Sequence, residues 1–196
     1  MGLNNFKFRR GFKSDAEKKS TFYRNALKLN SHSPLPAKQL AEYLKIEVIS
    51  PSKIIGMTDH LLNNINHSKE WSAVTIQIDE INLLLIHNEK NSLYRQESDI
   101  MHELAHVISG HAFDGIQLNE SSIILRNYNK SIEKEAEWLG ACLQLNRESL
   151  LWALRKRMDI NAISEHFCAS KDMVTFRLNA TGVTRQYPYF NPFLIF

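Results

Sequence analysis

An α+β fold, with helices packed on a small, mainly antiparallel three-stranded sheet, follows from three observations on this 196-residue chain. Three short runs rich in β-branched and aliphatic residues, "IEVIS" (46–50), "AVTIQI" (73–78) and "LLLIHN" (83–88), fall in the first half. From about Ser92 onward the apolar period changes from two to that of a helix. Hydrophobic content of 43% and charged content of 23% suit a soluble core-bearing chain, long enough for one domain or one domain with a small appendage.

The elements follow in order. Residues 14–29, "SDAEKKSTFYRNALKL", open on a Ser/Asp cap and carry Phe22, Ala26 and Leu29, which predicts a helix. "SHSPLP" (31–36) breaks it, and Pro36 suits the first turn of a short helix through Leu44. The "DEIN" between the second and third strands predicts an antiparallel hairpin, and residues 52–66 read as a helix or helical turn. "SDIMHELAHVISGH" predicts a helix capped at Ser98/Asp99 and ending near Gly110. "SIEKEAEWLGACLQL" (131–145) predicts another, capped by Ser131, with Glu133 and Glu135 at its positive end. Shorter helices follow to about Leu178.

Composition removes several function classes. The net charge is only +3, although Lys7, Arg9, Arg10, Lys13, Lys18, Lys19, Arg24 and Lys28 outnumber Asp15 and Glu17 near the start; that excess reads as a solvated helical face. Cys142 and Cys168 form no disulfide framework and no C-x-x-C pair, and each reads as a reduced, buried thiol. The first residues, "MGLNNFKFRRGFK", lack the apolar core of a signal peptide, and no apolar run reaches membrane-spanning length. A cytoplasmic protein is expected.

The chemistry is concentrated in "IMHELAHVISGHA" (100–112), where His102, Glu103 and His106 form H-E-x-x-H. Helical geometry sets the two imidazoles one turn apart on one face, about 40° from one another. Stacked so, they suit one tetrahedral ion, and zinc favours such donors while tolerating an open position. A coordinated water then has its pKa lowered towards about 7, and Glu103 takes its proton during attack on a peptide carbonyl. Random placement of eight histidines and fourteen glutamates would produce the pattern only about 0.02 times per chain. The apolar neighbours Leu104, Ala105, Val107 and Ile108 imply a buried helix, and buried imidazoles and carboxylates need partners.

Three residues compete for the third ligand. His111 is off register for the metzincin pattern, because Ser109 and Ala112 stand where glycine and histidine belong. Asp114 is not excluded by geometry, but nothing positive supports it. Glu133 lies on the next long helix with Glu137 at i+4 and small Ala136 between them, which lets two helices approach around an ion. Glu137 can then hold a ligating histidine by its second ring nitrogen, and Glu135 points to solvent. An acidic solvent face would account for Glu133 and Glu137 equally well.

"HELAHVISGH" followed by "IEKEAEWLGACL" resembles the ImmA/IrrE family of metallopeptidases, whose pattern is H-E-x-x-H and then a downstream E-x-x-A-[N/D] helix. "RGFKSDAEKKSTFYRNALKL", "SPLPAKQLAEYLKIEV", "WSAVT" and "ISEHFCASKDMVTFRLNATGV" are similar to other stretches of the family, so the resemblance runs from about Gly11 to Gln186. It implies a zincin-like core and a gluzincin-like site: His102, His106 and Glu133 as ligands, Glu103 as general base, zinc as the ion, with manganese also compatible. Glu137 stands at the family's Asn/Asp position and is one methylene longer than Asp. Asn146 stands where relatives often carry proline. Family members cleave, or promote removal of, helix-turn-helix repressors in mobile elements and stress responses, which implies such a protein partner here.

The chain thus divides into a metallopeptidase domain (1–146), a helical helix-turn-helix-like region (147–186) and an apolar tail (187–196). In "AISEHFCASKDMVTFRL", Ile163 and Phe167 sit on one helix, Cys168 stands where glycine would be usual, and Val174 and Leu178 sit on the next. A DNA reader would present Lys171, Thr175 and Arg177, but Glu165, Asp172 and the lack of a dense basic patch favour a packing or repressor-docking module. The tail, with Tyr187, Tyr189, Phe190, Phe193, Leu194, Ile195 and Phe196, is expected to dock on its own domain. Two rival functions remain: a repressor-binding module that does not cut, and a DNA-binding regulator acting through 163–178.

Overall fold

The fold was taken from a computed structural model, in which residues 7–54, 72–79, 81–111, 118–119, 122–123 and 129–187 are described. The chain runs α1 (Phe12–Ala26), α2 (Ala37–Tyr43), β1 (Glu47–Ile49), β2 (Ala73–Gln77), β3 (Leu83–His87), α3 (Leu93–Ser109), β4 (Leu118–Asn119), β5 (Ser122–Ile123), α4 (Lys130–Gln144), α5 (Arg147–Arg155), α6 (Ile160–Phe167) and α7 (Lys171–Thr181). The α+β class holds. The helix or helical turn expected at 52–66 falls mostly outside the described residues, and the part within them shows a 3₁₀ turn at Pro51–Lys53.

The three-stranded sheet is mixed rather than mainly antiparallel. Its order is β1-β3-β2; β2 and β3 form the expected antiparallel hairpin, with Thr75 opposite Leu85, while β1 pairs β3 in parallel. The long connection after β1 carries the chain past the central position, and the hairpin returns β3 into it. Local strand pattern cannot report that path. The hairpin is closed by Asp79, whose Oδ1 accepts from the Ile81 and Asn82 amides at 2.8 Å each. β2 is an edge strand of this sheet, and a second ladder of two-residue strands pairs β4 with β5.

Three helix starts differ from the sequence expectation. α1 begins at Phe12 after Gly11, which adopts φ +84°, and its buried line is Phe12, Ala16, Ser20 and Arg24; Phe22 faces solvent. α3 begins at Leu93, capped by the Ser92 side chain, which accepts from the Arg95 amide. Asp99 is therefore inside the helix, where its carboxylate pairs with Arg95 at 2.9 Å. α4 is capped by Asn129, whose Oδ1 accepts from the Ser131 amide at 3.0 Å, rather than by Ser131. Asn146 caps α5 through the Ser149 amide, 2.7 Å away.

Two apolar clusters form. The first joins α1, α2, the sheet, α3 and α4 through Leu40, Leu85, Ile100, Leu104, Leu139 and Leu143; the second joins α5, α6 and α7 through Leu150, Leu154, Ile163, Val174 and Leu178. Cys168 closes α6 in the left-handed conformation at φ +49°, the conformation that favours glycine, and is half-buried rather than buried; Cys142 is buried. Tyr187 packs on the second cluster, and residues 188–196 of the tail lie outside the described residues.

Polar groups bind the clusters together. Arg177 is fully buried, donates from Nε to Leu145 O at 2.7 Å, and pairs with Glu17 of α1. Of the three residues that a DNA reader would present, Arg177 is therefore inaccessible, whereas Lys171 and Thr175 are exposed. Arg24 is buried too, donating to Ser20 Oγ at 2.6 Å and Gln144 O at 3.2 Å. Burial brings its guanidinium down to about 10 despite Glu17 nearby. Among the described residues no helix is long and apolar enough to cross a membrane.

Candidate metal centre

The centre lies where α4 crosses α3. Ile100, Met101, Leu104 and Ala105 bury one side of α3 completely, which turns His102 and His106 towards α4. Gly140 sets the distance between the helices. A Cβ at that position would lie 3.2 Å from Met101 O and 3.3 Å from both Cα and N of His102, so α4 rests directly on the α3 backbone. Ala136 is buried one turn earlier, and Glu133 stands a further turn towards the helix start.

His102 Nε2 lies 3.2 Å from Glu133 Oε2 and 3.2 Å from His106 Nε2, and His106 Nε2 lies 3.5 Å from Glu133 Oε2. Tetrahedral coordination with zinc bonds of about 2.0–2.1 Å separates donors by about 3.3–3.4 Å. The triangle thus has the size that one tetrahedral ion requires, and its two imidazoles and one carboxylate are the donor types zinc takes in open sites. Among the described residues, these three form the group whose donors converge closely enough to hold an ion. His106 is buried, whereas the side chains of His102 and Glu133 keep 28% and 21% exposure, so access is from their side. The imidazole of His102, then that of His106, lies against the Glu133 carboxyl and holds it well below the usual carboxylate range.

Glu103 is buried beside this triangle, and its Oε2 accepts a hydrogen bond of 2.8 Å from Thr75 Oγ1 on β2. The sequence carries no signal for Thr75; pairing opposite Leu85 puts it under α3 only once the hairpin forms. Gly140 had a weak signal, since an isolated glycine within a helical pattern costs about 1 kcal/mol against alanine and usually has a packing reason.

Two expectations for the surrounding residues are corrected. Glu137 does not orient a histidine: it is exposed and its carboxylate pairs with the Lys134 ammonium. Glu135 faces inward instead, with Oε2 3.6 Å from His111 Nε2, and His111 Nδ1 lies 3.0 Å from His106 Nδ1. His111 is thus outside the triangle yet in contact with one of its members. Asp114 lies outside the described residues.

No curated protein matches the chain significantly. The Peptidase_M78 family model, described as IrrE N-terminal-like domain, matches residues 41–179. That match runs from the last residues of α2 through most of α7, including both helices that carry the donor triangle. Spanning well over half of the chain, it shows that the protein belongs to the IrrE N-terminal-like family of metallopeptidase-like domains.

Proposed function

We propose that this protein is a zinc-dependent endopeptidase acting in the cytoplasm on a helix-turn-helix transcriptional repressor of a mobile element or stress response. The observation that carries the peptidase reading is the donor triangle of His102, His106 and Glu133 with the Glu103 carboxylate buried beside it. Those three side chains would hold the ion, and manganese would also be accepted by two imidazoles and a carboxylate. When bound, zinc supplies a Lewis acid that polarises a carbonyl oxygen and makes water acidic near neutral pH. Glu103 accepts the proton of the attacking water and returns it to the departing amine. Thr75 fixes the rotation of that carboxylate through its hydrogen bond to Oε2. A site that only stiffened the fold would have no use for a buried base at this position, which favours catalysis over a non-cutting module. The repressor as substrate rests on the family resemblance.

The test is co-expression with a helix-turn-helix repressor encoded beside the protein, followed by electrophoresis of the repressor. Wild type is expected to give discrete fragments and to purify with one zinc per chain. Glu103→Gln should keep the zinc and leave the repressor whole. Undiminished proteolysis by Glu103→Gln would sink the mechanism.

A further inference from the structure

We infer that His111 and Glu135 form a tautomer lock on His106, a pair of positioning residues that keeps Nε2 of His106 ready for the ion. The inference rests on the metal reading proposed above. A ligating imidazole is neutral, so binding through Nε2 requires the ring proton on Nδ1. In an unrestrained histidine the two tautomers compete, and the one protonated on Nε2 cannot bind. In this protein Nδ1 of His106 meets Nδ1 of His111 at 3.0 Å, and only one of these atoms can carry the shared proton.

Glu135 favours one of the two. Its carboxylate lies 3.6 Å from His111 Nε2, close enough to favour a proton on that nitrogen although longer than a direct hydrogen bond. With its proton on Nε2, His111 presents a lone pair at Nδ1. His106 must then donate from Nδ1, and its Nε2 is left bare towards His102 and Glu133. The order of donors and acceptors along Glu135, His111 and His106 therefore runs in one direction, away from the ion site.

The fold builds this arrangement deliberately in its backbone. Gly110 takes φ +68° at the end of α3, and the chain folds back so that the amide of His111 donates to His106 O at 3.1 Å. The reversal brings the two rings to 5.0 Å between centroids at 73°. Hence the histidine that is off register as a ligand is in register to support one. Glu135 arrives from α4, two residues beyond Glu133, so the helix that delivers the third donor also delivers the lock.

The experiment measures zinc affinity of the full chain by chelator competition, alongside melting of the metal-free protein. Wild type should bind one zinc. His111→Leu should weaken zinc about 10–100-fold, the usual loss when the partner of a ligating histidine is removed. His111→Asn, whose Oδ1 accepts near the position of Nδ1, should recover most of that loss, and Glu135→Gln should fall between them. Metal-free melting should not follow this ranking. Unchanged affinity in His111→Leu, or equal loss in the Leu and Asn variants, overturns the lock while leaving the metal reading intact. Failure of wild type to bind zinc overturns both.

Discussion

Replacing Gly140 by alanine tests whether the helix contact sets the metal centre. An added Cβ would lie 3.3 Å from His102 Cα, whereas carbon atoms prefer about 3.5–4.0 Å, so the contact is short by roughly 0.2–0.7 Å. The opposing atoms are backbone of α3 and cannot rotate aside, so α4 must move outward by about half an ångström. Overpacking of this kind costs about 1–3 kcal/mol, and the better helix propensity of alanine returns about 1 kcal/mol. A net loss of about 1 kcal/mol is expected, lowering Tm by roughly 2–4 °C in a chain of this size. Glu133 rides on the same helix, and a shift of about 0.5 Å is the tolerance within which a site must be held, so zinc affinity should fall as well. Urea unfolding of the metal-free protein and chelator competition read the two effects. The reasoning is refuted if Gly140→Ala raises stability by about 1 kcal/mol, as at an open helix position, with zinc affinity unchanged.

Thr75→Val should preserve zinc content while lowering kcat about 10–100-fold, because it removes a hydrogen bond of about 1.5–3 kcal/mol from the buried Glu103 carboxylate; a wild-type kcat on a fluorogenic peptide counts against the assigned role. Arg177→Ala leaves Leu145 O and Glu17 without their buried donor, and should cost about 3 kcal/mol, or roughly 6–12 °C in Tm. Burial pushes the Cys142 thiol up to about 12, so iodoacetamide at pH 8 should label Cys168 and reach Cys142 only after unfolding, as read by mass spectrometry. Because that thiol is held protonated in the fold but ionises near 9 when unfolded, its contribution to stability is present below pH 9 and is lost as pH rises from there towards 12. Cys142→Ala should flatten the alkaline side of a stability-against-pH curve.

Three residues of the centre were legible in local sequence, since His102, Glu103 and His106 occupy a spacing whose geometry any helix enforces. Glu133 was legible only with the family pattern; from the residues alone it shared its case with a solvated acidic face. The sequence pointed to the wrong acid beside it. Helical spacing pairs Glu133 with Glu137, but the angle at which α4 lies on α3 turns Glu135 inward and leaves Glu137 on Lys134. The same limit explains α1, where apolar periodicity selected Phe22 although the buried line includes Ser20 and Arg24, polar residues whose partners sit on α4.

What this sequence determined by itself is therefore what short range dictates: the class of fold, the hairpin closed by Asp79, the two-histidine face and the carboxylate between them. Tertiary structure alone decided the parallel entry of β1, the seat of Thr75 under Glu103, the close approach at Gly140 and the folding of His111 onto His106. The physical reason is one of range. A helix or turn is specified by neighbours within a few residues, whereas a crossing angle, a strand's place in a sheet and the partner of a buried charge depend on packing between segments far apart in the chain.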